Sequence, residues 1–389
     1  MDSNTPSRPL RFHPDGSFKL LQVTDVQETT RMRPETLTLL NAVLDRARPD
    51  LVVLTGDQVK GYDPGYRHRP DAVRCTLTAI CEPFVERQIP FAVTFGNHDP
   101  EVGVSNAQQE AWLAELPGCV NAWTRDATGM RGYGPGTLAL PIFDASGHTP
   151  CLAVYLADSG AGNLLGGYEA FDQRTTSWLV QTARELAAAA DRPVPGIVFQ
   201  HLPVPEMYSC LRSARPGEGG VPGHRSHYRA GELLVPRADA LQGGRLREPI
   251  SCPDENTGEV DALVEEGSFF ALYCGHNHKN TLICRYHGMD LGYAPTTGFG
   301  AYGPGLDRAA RAFSFSADDP AAYTTQLLTY RELVGARTSR PITDWATERM
   351  PVTGEELRER ARALIPHPVA GARNAADESL SPHARLESR

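Results

Sequence analysis

The sequence predicts an α/β protein built on a parallel sheet, joined by a second sheet of antiparallel character. Between residues 18 and 94 apolar strand-like runs alternate with amphipathic helical stretches, the order that gives a parallel sheet buried on both faces. Beyond residue 280 strand runs follow one another as a hairpin and further strands with no helix between them. Polar residues cluster where apolar runs end, which is where ligands gather in parallel sheets.

Phe18–Val23 reads as the first strand and ends at Thr24-Asp25-Val26-Gln27. Pro34 opens a helical pattern through Leu37, Leu40, Val43 and Leu44, at a position where its missing N–H costs little. Leu51–Thr55 is a continuous apolar strand ending at Gly56-Asp57-Gln58. A second helical stretch, Asp71 to Arg87, leads to the strand Ile89–Thr94 and the turn Phe95-Gly96-Asn97-His98-Asp99-Pro100. A helix over Ser105–Leu116 and a strand over Cys151–Leu156, ending at Ala157-Asp158-Ser159-Gly160, come next. The helix Asp172–Ala190 places Trp178 and Leu179 on its apolar face, and the short strand Ile197–Gln200 has His201 at its end.

From Leu202 to Thr257 periodicity fails amid many Gly, Pro and Arg, which predicts a functional lid or a disordered insertion. Order returns with a helix at Glu259–Glu266 and a strand at Ser268–Cys274 that ends at Gly275-His276-Asn277-His278. The hairpin Thr281–Tyr286/Met289–Tyr293, the Gly-rich loop Thr297–Gly303, and strands near Ala310–Ser316 and Tyr323–Tyr330 complete the second sheet. Past Met350 one helical pattern, Gly354–Leu364, precedes a tail whose composition predicts disorder. The expected organisation is an N-terminal extension (1–17), one domain (18–335) carrying the insertion 202–257, and a C-terminal extension (336–389), largely disordered after about residue 365.

Composition narrows the function. The 389 residues are 41% hydrophobic, enough for a sizeable core, and carry a net charge of −9 with no long basic block, which argues against tracking along nucleic acid. Met1–Pro14 lacks the apolar core of a signal peptide, and no run has the length of a membrane span. The eight cysteines show no close-spaced framework and are read as reduced thiols of a cytoplasmic protein.

Five strand-end clusters then stand in order: Asp25/Gln27, Asp57, Asn97/His98, His201 and His276/His278. This mixed oxygen and nitrogen set, without cysteine, suits hard and borderline metal ions. Alternate residues of an extended segment point the same way, so His276 and His278 can share a site across Asn277, as can Asp25 and Gln27 across Val26. Singly each cluster has an ordinary explanation, since Gly-Asp and Gly-Asn are turn dipeptides. Their joint order is the signal.

That order resembles the calcineurin-like metallophosphoesterase superfamily, whose signature runs D-x-H, G-D, G-N-H-D/E, a lone His, then G-H-x-H. This chain has Asp25-Val26-Gln27, Gly56-Asp57, Gly96-Asn97-His98-Asp99, His201 and Gly275-His276-Asn277-His278. Asp172-Gln173 before Ser177-Trp178-Leu179, the run His201 to Glu206 with Pro203 and Pro205, and Gly298–Gly303 resemble the branch of small intracellular purple-acid-phosphatase-related proteins. The resemblance implies a four-layer α/β/β/α sandwich of two mixed sheets, with a dinuclear metal site at the strand ends. It implies two divalent or trivalent ions (Mn, Fe, Zn or Mg) bridged by Asp57, one completed by Asp25, Gln27 and His278, the other by Asn97, His201 and His276. Ions about 3.5–4 Å apart activate a shared water and clamp an in-line phosphoryl displacement. The implied activity is hydrolysis of a phosphate mono- or diester of a small molecule by a metal-bridging hydroxide. His98 would be the proton donor or transition-state stabiliser, and Asp99 would orient it.

Gln27 departs from the signature, which supplies histidine there; a neutral amide oxygen is a weaker ligand, or it merely hydrogen-bonds a water. Tyr62 lies too far beyond Asp57 to be read as a tyrosine ligand, so no purple iron centre is expected. A nuclease or cyclic-nucleotide phosphodiesterase is the alternative enzyme, and a catalytically silent metal-binding scaffold the alternative of another class. Arg67, Arg69, Arg225 and Arg229 are candidate anion contacts; His224 and His227 belong to a solvated loop or phosphate-contacting lid, and Asp158-Ser159 is structural.

Overall fold

The computed structural model describes residues 9–122, 130–164, 166–224 and 228–349. The helical pattern at Gly354–Leu364 and the tail lie outside them. The first part of the chain folds as β1 (Ser17–Val23), α1 (Pro34–Ala47), β2 (Leu51–Thr55), α2 (Pro70–Glu86), β3 (Phe91–Thr94) and α3 (Asn106–Leu113). Strand β4 (Leu138–Phe143), β5 (Pro150–Ala157), α4 (Gln173–Ala190) and β6 (Gly196–Gln200) follow.

The insertion holds β7 (Leu211–Ser213), β8 (Val221–His224), β9 (Tyr228–Pro236) and β10 (Leu241–Gly243). It is neither a plain lid nor shapeless: β7, β9 and β8 form their own three-stranded antiparallel sheet, and β10 pairs with the later hairpin. The chain closes with α5 (Glu259–Glu266), β11 (Phe269–Cys274), β12 (Ile283–Tyr286), β13 (Met289–Tyr293), β14 (Ala309–Ser316), β15 (Thr324–Thr329), α6 (Tyr330–Leu333) and α7 (Pro341–Arg349).

Two large mixed sheets result, ordered β15-β14-β1-β2-β3 and β10-β12-β13-β11-β6-β5-β4. Within the first, β1, β2 and β3 are parallel, as the strand-helix alternation predicts. The last two strands correct the sequence reading. β14 lies antiparallel beside β1 and β15 beside β14, so they extend the first sheet rather than complete the second.

Strand alternation builds the layers. In β2, Leu51 and Val53 face the core between the sheets, whereas Val52 and Leu54 join α1 and α2 residues on the outer face. In β5, Leu152, Val154 and Leu156 face the central core, while Ala153, Tyr155 and Ala157 pack with α4 residues such as Leu179 and Ala183. A period of two with both faces apolar produces the unbroken apolar runs of a sheet covered on both sides. Three cores therefore separate four layers, helix, sheet, sheet and helix. The carboxyl ends of β1, β2 and β3 meet those of β6 and β11 from the other sheet, and there the polar clusters converge.

Candidate metal centre

Each predicted residue leaves the end of a strand through a sharp backbone turn. Asp25, Gln27, Asp57 and His276 all have positive φ, at 49°, 39°, 52° and 68°. Non-glycine residues rarely adopt this conformation, and a cluster of them marks a place where surrounding structure dictates backbone shape. Neighbouring glycines make the room. A Cβ on Gly96 would sit 2.2 Å from Asp57 Oδ1, and one on Gly275 2.5 Å from Asp25 Oδ2. The Gly-rich loop closes over the first motif in the same way. Thr296 donates its hydroxyl to Asp25 O at 2.6 Å, and a Cβ on Gly298 would lie 1.7 Å from Val26 O.

The side chains meet at His201. Its Nδ1–H donates to Thr55 O at 3.0 Å, which leaves Nε2 as the free ligand atom. Around that Nε2 lie Asn97 Oδ1 at 3.1 Å, Asp57 Oδ2 at 3.3 Å and His276 Nδ1 at 3.3 Å. On the other side of Asp57, Gln27 Nε2 donates to Asp57 Oδ2 at 2.8 Å. Asp25 Oδ2 accepts from His276 N at 2.9 Å, and Asp25 Oδ1 stands 3.3 Å from His278 Nε2. His278 is held like His201, its Nδ1–H donating to Tyr302 O at 2.8 Å with the Tyr302 ring stacked on it. All seven predicted ligands thus come together.

Two observations test whether this pocket fits cations. Asp57, His201 and His276 each offer a ligand atom within 4.8 Å of the others, all three residues buried. Asp25 Oδ1 and Gln27 Oε1 are buried acceptors without a hydrogen-bond partner, the condition a bound cation would relieve. The donor set fits.

Charge inside the pocket is divided sharply. Burial alone would raise the Asp57 carboxyl, but His201 and His98 outweigh it and hold the group well below the usual carboxylate range. Burial likewise opposes a charged His201, yet the adjacent Asp57 lifts it to about 9. Burial, then the nearby charge of His201, pushes His276 well below the ordinary imidazole value.

His98 keeps its place beside Asp57. Its backbone N–H donates to Asp57 Oδ1 at 2.9 Å, and the Tyr62 ring packs edge-on against its imidazole at 5.0 Å. Asn97, His98 and His276 retain 6–7% exposure, whereas Asp25, Asp57 and His201 have at most 1%, so solvent reaches the cluster from the His98 side. The role expected of Asp99 is corrected. Its carboxylate accepts from the backbone N–H groups of Gly96, Asp57, Gln58 and Val59, at 2.8, 2.8, 2.8 and 3.3 Å. It pins the two ligand turns together, and burial with repulsion from Asp57 raises it to about 7 against those donors. The imidazole of His98 is instead met by Glu101, whose Oε2 lies 2.8 Å from Nδ1. A 3₁₀ turn at Asp99–Val102 brings Glu101 back beneath His98, and the spacing of three residues in Asp99-Pro100-Glu101 was the available signal.

The arginines do not converge on this site. Arg67 and Arg69 are exposed, and Arg229 pairs with Glu232 at 2.7 Å; Arg225 and His227 lie outside the described residues. Ser159 is structural, its Oγ accepting from Leu202 N at 2.9 Å, and His224 is buried within β8 rather than solvated. The eight cysteines are free thiols, seven of them buried. Among the described residues no helix is long and apolar enough to cross a membrane.

The family model for calcineurin-like phosphoesterases matches residues 18–241, more than half of the chain. The chain belongs to that family. Among its relatives is an Arabidopsis thaliana protein named "Probable inactive purple acid phosphatase 14", 25% identical over 332 residues, covering 76% of this chain and 74% of the relative. "Probable inactive purple acid phosphatase 29" of the same plant is 26% identical, covering 78% of each chain. The Saccharomyces cerevisiae protein named "Phosphatase DCR2" is 25% identical over 72% of this chain and 47% of its own length. The crystal structure of a dimetal phosphatase from Danio rerio overlays with a TM-score of 0.49 at 15% identity, covering 80% of this chain and 99% of that chain.

Proposed function

We propose that this family member hydrolyses phosphate esters of small molecules with two metal ions held between its sheets. One observation carries the reading: ligand-type atoms of Asn97, Asp57 and His276 lie 3.1–3.3 Å from His201 Nε2, while Asp25 Oδ1 and Gln27 Oε1 are buried beside them without a hydrogen-bond partner. Asp57 would bridge, with Asp25, Gln27 and His278 on one ion and Asn97, His201 and His276 on the other. When bound, such a pair supplies Lewis acidity toward the phosphoryl oxygens and a water acidified toward neutral pH.

The rest falls to the protein. Thr55 O and Tyr302 O fix two imidazoles with Nε2 turned inward. Asp99 holds the Asp57 and Gly96 turns in register. His98, on the open side and steadied by Glu101, would deliver a proton to the leaving oxygen or stabilise charge developing there. The net charge of −9 favours a small phosphorylated substrate over a nucleic acid polymer.

A second reading, a metal-binding protein without turnover, is favoured by the Gln27 amide donating to the bridging carboxylate and by the word "inactive" in the names of two relatives. Hydrolysis of p-nitrophenyl phosphate and its bis ester, after restoring Mn or Zn to stripped protein, decides between them. Turnover that disappears in Asp57→Asn and in His98→Ala, with His98→Ala keeping full metal content, supports the enzyme. Stoichiometric metal without turnover supports the silent protein, and loss of metal in His98→Ala refutes the division of roles.

A further inference from the structure

A second buried polar cluster lies away from the histidines, against the turn Leu202–Pro205 that follows His201. A small cavity there is lined by Gln200, Pro205, Asn256 and Glu259 among others. Gln200 and Glu259 are 2% and 4% exposed, and Oε1 of each has no hydrogen-bond partner. Glu206, 3% exposed and next in the chain to Pro205, has neither carboxylate oxygen partnered. The Gln200 amide is not free to turn: its Nε2 donates to Leu202 O at 2.9 Å, so Oε1 is the atom left over. Two carboxylates and an amide oxygen thus share one region whose side-chain donors are the Gln200 amide near Glu259 and the Asn256 amide near Glu206, too few for these buried oxygens, which water alone satisfies poorly and a cation satisfies well.

We infer that Gln200, Glu206 and Glu259 form a site for one calcium-class cation, separate from the histidine cluster. The chemistry of the donors selects the ion. All the ligand atoms are oxygens, the preference of hard cations, whereas zinc would call for nitrogen or sulfur. Two carboxylates match a double positive charge. The free space is the size of a single water, too small for the several waters that magnesium retains, while calcium accepts irregular oxygen shells. The two glutamates feel each other: burial, then the charge of Glu206, drives the Glu259 carboxyl well up, and burial raises Glu206 as well. A cation between them removes that repulsion. It would also tie β6, through Gln200, to the first turn of α5, and so steady the backbone that presents His201.

The test titrates the metal-stripped full chain with calcium chloride, followed by calorimetry and thermal unfolding, alongside Asp57→Asn, Glu206→Gln and Glu259→Gln. The expected result is one calcium per chain in both wild type and Asp57→Asn, with Tm raised by roughly 2–4 °C near saturation. Binding should weaken at least about tenfold, or roughly 1.4 kcal/mol, in each glutamate variant; should one of them fail to fold, the other carries the comparison. Indifference of the wild type to calcium would overturn the site. So would calcium binding that disappears in Asp57→Asn and persists in the glutamate variants, because the ion would then belong to the histidine cluster.

Discussion

The amide of Gln27 donates through Nε2 to Asp57 Oδ2 at 2.8 Å, while its Oε1 is buried with no partner. The residue thus touches the Asp57 carboxylate with one end and presents a free acceptor oxygen with the other. An imidazole at this position would give up the donor to Asp57 but supply a better ligand atom, and the balance between these effects can be measured.

Gln27→His is expected to tighten metal binding about tenfold, or roughly 1.4 kcal/mol. Residual metal after dialysis against chelator, determined by elemental analysis, reads this directly. Unchanged retention would mean that residue 27 is no ligand.

Glu101→Gln tests the partner of His98. The Nδ1 contact weakens when the carboxylate becomes an amide, and the imidazole loses its fixed orientation. The expected effect is a fall of about tenfold in kcat with KM and metal content unchanged. A fall in metal content would place Glu101 among the supports of the ligands instead.

Gly298→Ala should be costly through the backbone of the first motif, on which Gly298 packs. The new Cβ would lie 1.7 Å from Val26 O and 2.5 Å from Val26 C, backbone atoms that cannot turn aside. A loss of about 3 kcal/mol in urea denaturation is expected, together with reduced metal retention as Asp25 and Gln27 shift. Wild-type stability in this variant would show that the loop does not clamp the first motif.

Much of this was legible in the sequence, for a physical reason. β1, β2, β3, β6 and β11 are buried strands whose apolar runs end abruptly, and the residues just past those ends are the ones the fold brings together as candidate ligands. Three features escaped. β14 and β15 read as strands, but an antiparallel pair carries no mark of which sheet edge it joins; pairing with β1 decides that. β7 and β10 are three residues each, too short for a period to register amid Gly and Pro. Asp99 looked like an orienting group because it adjoins His98, yet adjacent side chains seldom face each other, and Glu101 three residues on does. The backbone donors that hold Asp99 come from Asp57 to Val59, a contact that only folding creates.

A pH prediction concerns Glu35, which holds the segment after α6. Its carboxylate accepts from Ser339 N and pairs with Arg33 at 3.0 Å, while Arg33 also pairs with Asp344 of α7 at 3.2 Å. Burial opposes the charged Glu35, but Ser339 and Arg33 prevail and bring it from 4.5 down to about 2. A depressed carboxylate contributes stability that is complete above its unfolded value and fades as pH falls through its folded one. Proteolysis within residues 336–349 should therefore speed up between pH 4.5 and about 2, and Glu35→Gln should show that sensitivity already at pH 7. Equal cleavage rates in the two proteins at pH 7 would sink the idea.

The left-handed backbone at Asp25, Gln27, Asp57 and His276 has a consequence for how metal arrives. Residues in that conformation do not settle there by local preference; the fold imposes it, through Asp99, the close glycines and the Thr296 hydroxyl. The cradle is accordingly preorganised, and capture of an ion need not wait for the loops to order. Entry should then be limited by shedding the ion's own water shell, and a cation of the wrong size would meet walls that do not adapt. Selectivity in such a site resides in rigidity as much as in the identity of its ligands.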